Sequence, residues 1–186
     1  MGWQHNWSGS RWFNGEIDEF CLYEKALTQD EIRLQMHLTK SPMQDPLLLH
    51  YYQFNESSGG LTYDKVGLLH AETPGDRKIS RGTIGTGSTS KVDINSAGIY
   101  NFSVEKMKME FGAGSLPNGE VTVTRITYVP DVQPSDGVIN TSYWVIHNYG
   151  SNATFTALNS MEFEELENAS PSYGASDFTL HARGYD

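Results

Sequence analysis

The chain has 186 residues, a formal net charge of −10 and one cysteine, Cys21. That charge argues against nonspecific nucleic-acid or anionic-membrane binding, which needs a basic surface, and one cysteine excludes an intrachain disulfide. No apolar run approaches the ~18 residues of a spanning helix, and Met1–Asn6 lacks the basic and apolar regions of a signal peptide.

In chain order, residues 1–11 are polar and aromatic. Trp3, Trp7 and the following Trp12 are spaced by Gly, Ser and Asn. Loops of this kind present indole faces on which sugar rings stack. These tryptophans and Tyr51 are therefore the candidate carbohydrate-binding residues. Trp12–Tyr23 reads as a strand, with Ile17, Phe20, Leu22 and Tyr23 as strand formers. Apolar groups on both of its faces predict an internal strand. Leu27-Thr28-Gln29-Asp30-Glu31-Ile32 is a helix start. Thr28 stands at N-cap and Glu31 at N3, so each side chain satisfies one orphan N–H. Leu27 and Ile32 take the staple positions. The helix is predicted from about Gln29 to about His37, with Ser41-Pro42 preventing continuation.

The pattern Phe13-Asn14-Gly15-Glu16-Ile17-Asp18-Glu19-Phe20, then Leu22-Tyr23 and Ala26-Leu27-Thr28-x-x-Glu31-Ile32, resembles the last strand and closing helix of LamG-like jelly rolls. These belong to the concanavalin A-like lectin/glucanase superfamily. Leu48-Leu49-His50-Tyr51-Tyr52-Gln53-Phe54-Asn55-Glu56, with Gly59, Tyr63-Asp64, Gly67 and His70, resembles the family's first strand and loop. The resemblance implies the end of one module followed by the start of the next. It also implies that the two strands lie close together, so Leu47–Phe54 is expected to pair with Trp12–Tyr23 in a small sheet covered by the helix. On this reading the tryptophans of residues 1–12 have an alternative role, packing against strands of a jelly roll. Only the two ends of such a module are legible, so the chain is expected to be part of a longer secreted protein. The alternative is a small intracellular protein with its own start codon.

Residues 72–91 shift to Gly, Ser, Thr and Pro and read as a linker. Beyond it the chain reads as all-β. Candidate strands are Lys91–Ile94, Gly98–Val104, Lys106–Phe111, Gly119–Tyr128, Ser142–His147, Thr154–Phe163 and Asp177–Arg183, punctuated by turn residues at sandwich-like spacing. Val121 and Val123 are predicted to face inward. The stretches 143–146 and 155–158 are the best further core candidates. The expected fold is mainly β: a partial LamG-like jelly roll with one short helix (1–71), a linker (72–90) and an antiparallel β-sandwich (91–186).

The sharpest catalytic signal is Glu16-Ile17-Asp18-Glu19-Phe20. Retaining glycosidases of the superfamily carry three carboxylates on one face of a Glu-x-Asp-x-Glu strand. Here period 2 places Glu16 and Asp18 on one face but Phe20 in the third position. A pair without its proton donor cannot both attack and protonate the leaving group. The six histidines form no His-x-His or His-Glu-x-x-His pattern. The resemblance implies calcium, for which Glu16, Asp18 and Asp64 are the candidate ligands; the alternative is that they are solvated or hydrogen-bonded. The expected function is a non-enzymatic carbohydrate-binding or adhesion region of a secreted, multidomain surface protein. Its partners would be a glycan or cell-surface ligand and neighbouring domains, with no nucleic acid and no membrane insertion. The alternatives are a structural spacer carrying catalytic modules elsewhere in the parent chain and, more remotely, a glycoside hydrolase fragment.

Overall fold

A computed structural model describes residues 15–73, 82–128 and 141–164. Trp3, Trp7, Trp12 and the expected strand Asp177–Arg183 lie outside the described residues. The fold is mainly β, with antiparallel sheets and one short helix. The chain divides into two compact units. One holds residues up to Ala26 together with Lys40–Gly82; the other holds Leu27–Thr39 together with residues from Thr83 onward.

In the first unit, β1 (Phe20–Tyr23) pairs antiparallel with β2 (Leu48–Tyr52), placing Phe20 opposite Tyr52 and Cys21 opposite Tyr51. This is the pairing expected of the two strands, but β1 is shorter than its sequence pattern. Gly15–Glu19 is not strand. Glu19 has φ +48°, and its N–H donates to Asp18 Oδ1 at 2.9 Å. A left-handed non-glycine residue turns the chain out of the extended line. The period-2 placement of Glu16 and Asp18 on one face with Phe20 therefore does not hold. A short hairpin, β3 (Leu61–Thr62) with β4 (Ala71–Glu72), completes the unit.

In the second unit, α1 (Gln29–Gln35) opens with the expected capping box. Glu31 N–H donates to Thr28 Oγ1 at 3.2 Å, and Thr28 N–H donates to Glu31 Oε2 at 2.8 Å. The helix ends earlier than expected because the following residues join a sheet edge. Leu38 forms a parallel bridge with Gly85, Gly85 N–H donates to His37 O, and Thr39 N–H donates to Gly85 O. α1 packs against β5 (Gly87–Ile94) and β8 (Gly119–Ile126), with which it belongs to the second unit. The strand β5 begins within the Gly- and Ser-rich stretch. Gly87 is required there, since a Cβ would come 1.9 Å from Arg125 O of the paired strand.

The order β5-β8-β9, with β9 at Tyr143–Asn148, makes one three-stranded sheet. A second has the order β10-β7-β6, with β6 at Gly98–Phe102, β7 at Met107–Phe111 and β10 at Leu158–Phe163. Along β7, Met107, Met109 and Phe111 are buried while Glu110 is exposed, the alternation of a one-sided strand. These residues share one core with Ile94, Phe102, Ala157 and the inward-facing Val121 and Val123. On β8 the alternate residues Thr122, Thr124 and Ile126 are buried too, as befits a strand covered on both faces. Among the described residues, no helix is long and apolar enough to cross a membrane.

Candidate functional site

The first unit is built around two buried polar centres. Tyr51 is 1 % exposed. Its hydroxyl donates to Glu19 Oε2 and accepts from Lys40 N–H and Gln53 Nε2, each of the latter at 3.1 Å. The ring has no face open to a sugar, which corrects its place among the carbohydrate-binding residues. Burial is the main reason that the Tyr51 phenol and the Glu19 carboxyl both titrate above their ordinary ranges. Burial also pushes the Cys21 thiol up to about 11, so it stays protonated and inert as a nucleophile.

The second centre is Asp64. Its Oδ1 accepts from Tyr51 N–H at 3.1 Å and Val66 N–H at 3.0 Å, and its Oδ2 accepts from His50 Nδ1 at 2.6 Å. Burial alone would push this carboxyl up. The hydrogen bonds from His50, Tyr51, Val66 and Gly67 outweigh that and hold it well below the usual carboxylate range. Gly67 is needed at this turn because a Cβ would stand 2.9 Å from Asp64 Oδ2. Four donors leave Asp64 little capacity for a cation. Glu16 is exposed, and Asp18 Oδ1 accepts from Glu19 N–H. Among the described residues, no group of three His, Cys, Asp or Glu side chains could hold a metal ion. The carboxylates expected to bind calcium are thus not brought together.

One aromatic ring of this unit faces outward. Tyr63, immediately after β3, is 47 % exposed. His70 meets its ring edge-on, 5.0 Å between centroids at 75°. His70 is itself fixed, because its Nδ1 accepts Asp64 N–H at 3.3 Å. The Asp64 turn thereby fixes the orientation of a surface phenol ring, with Leu61 and Leu69 exposed on the same hairpin. Such a ring can stack on the apolar face of a sugar while its hydroxyl hydrogen-bonds. Sequence reading passed over Tyr63 as a binding residue. A tyrosine beside a turn aspartate carries no mark distinguishing it from the buried Tyr51.

In the second unit, His37 and His147 meet nitrogen to nitrogen. Their Nε2 atoms are 2.7 Å apart, and the ring planes lie within 15° with centroids 4.9 Å apart. That centroid distance is the N···N separation plus the two ring radii, so the rings lie head-on in one hydrogen bond rather than face to face. His37 Nδ1 is 2.8 Å from Thr83 O, a pure acceptor, and so carries a proton. Neither residue has a metal-ligand spacing in sequence, and the pair joins positions 110 residues apart. Elsewhere in this unit Glu105 is 1 % exposed, its Oε2 accepting from Ser90 Oγ and its Oε1 lacking a partner among the described residues.

No protein-family profile, curated protein or solved structure matches this chain.

Proposed function

We propose that the chain is a non-enzymatic carbohydrate-binding or adhesion region of a secreted, multidomain surface protein. Its first unit is read as a LamG-like remnant and its second as a β-sandwich. The observation that carries this reading is the Tyr63–His70 pair: an exposed aromatic ring met edge-on by a histidine that accepts a hydrogen bond from the backbone of the buried Asp64. Ordering the ring in advance lowers the entropic cost of docking a sugar. The β1–β2 pairing supports the family resemblance, which places the first and last strands side by side. The neighbouring carboxylates support binding rather than glycoside hydrolysis, since Glu16, Asp18 and Glu19 are not aligned along one strand face. A glycan array probed with the intact chain tests the proposal. Retention of at least one class of glycan is the expected result. A blank array would favour the spacer reading instead.

A further inference from the structure

Residues 27–39 form a strap over the outer side of the β5-β8-β9 sheet, the side of Glu120, Thr122, Thr124 and Ile126. Among the contacts that hold it besides the histidine pair are two groups. One is ionic. Lys91 Nζ lies 2.6 Å from Asp30 Oδ2 and 2.8 Å from Glu120 Oε2. Arg33 Nη1 lies 2.9 Å from Glu120 Oε1, and its guanidinium sits 3.9 Å from the Tyr149 ring centroid. The other is the backbone edge of His37–Thr39 with Gly85. We propose that this strap is a proton-operated latch, closed by the head-on His37–His147 hydrogen bond and opened when His37 Nε2 is protonated.

The proton accounting follows from the partners. Thr83 O only accepts, so His37 Nδ1 keeps its proton in either charge state. In neutral His37 the Nε2 lone pair is then the sole acceptor, and the proton between the rings belongs to His147 Nε2. A first added proton goes to His147 Nδ1. It leaves the bond in place as a charge-assisted N–H···N contact. A second added proton goes to His37 Nε2. Two N–H groups then face each other across 2.7 Å, each on a cation, and the rings must part. Among the described residues, the charged groups along the strap are Asp30 and Arg33 from α1, Lys91 from β5 and Glu120 from β8, and Tyr149 after β9 lies against the pair itself. Tyr149 stacks on His147 at 5.6 Å.

Burial holds both imidazoles below their ordinary value, and for His147 the neighbouring His37 adds to this. A folded-state value below the unfolded one means that the folded chain binds fewer protons between the two. The latch therefore contributes fully above about pH 6.5 and weakens as the pH falls through the lowered values.

Hydrogen exchange of the intact chain, corrected for the intrinsic rate, tests the latch between about pH 7.5 and about pH 5. Protection of residues 29–39 is expected to fall by about tenfold or more in acid, while β7 keeps its protection. His37→Gln retains an acceptor oxygen for the His147 N–H but cannot take the proton. In this variant the pH step should shrink to the part that comes from burial of His147 alone. His147→Phe, which removes the donor, should leave the strap less protected at the upper pH, with a smaller acid step that comes from burial of His37 alone. Unchanged wild-type protection across the range would overturn the proposal. So would a step of undiminished size in both variants.

Discussion

Asp64 is the residue on which the first unit depends most. It gathers strand β2 through Tyr51 N–H and His50, and the following turn through Val66 N–H. Asp64→Ala would strand these donors in a water-poor site and is expected to cost about 2–4 kcal/mol of stability. Urea denaturation measures this as a lower midpoint. Because the folded-state carboxyl lies below its unfolded value, Asp64 stabilises above about pH 4 and loses that contribution as the pH falls further. At this scale the sequence was informative where burial follows period 2. Val121 and Val123 face inward as alternation required. It was uninformative at Tyr51 and Tyr63. Adjacent stretches of one pattern place the first in the interior and the second on the surface, and only the chain reversal at Asp64 decides which.

The capping box of α1 was legible because it is a local device: both hydrogen bonds join residues three apart. Thr28→Ala is expected to lower the stability of the second unit by about 1 kcal/mol, read from chemical denaturation of the intact chain. The site where α1 docks was not legible. The partners of residues 27–39, Lys91, Glu120 and His147, are 61 to 110 positions from the residues that they meet, and nothing in the local sequence identifies them. Ile32 shows the consequence. It takes a staple position in the sequence but is 48 % exposed, while the polar side of the helix makes the ionic contacts. In the second unit β6, β7, β8 and β9 were read to within two residues because turn residues bound them, whereas the expected Lys91–Ile94 missed the first half of β5 and the expected Thr154–Phe163 began before β10 at Leu158. β1 was overextended because the left-handed conformation of Glu19 leaves no signature in residue type.

At the scale of the whole molecule, chain order and unit membership do not coincide. The helix lies between two segments of the first unit in sequence and belongs to the second in space. A linear boundary near the Gly- and Ser-rich stretch could not anticipate this, because composition reports where the chain lacks apolar periodicity and not which pieces pack together. The functional reading rests on the first unit, where the Asp64 turn fixes His70 and His70 braces Tyr63. The most direct test is the affinity of the intact Tyr63→Ala variant for a glycan retained by the wild type, with the denaturation midpoint measured alongside. Binding weakened about tenfold or more, with an unchanged midpoint, is the result expected if the ring is the contact surface. Wild-type affinity in that variant would contradict it.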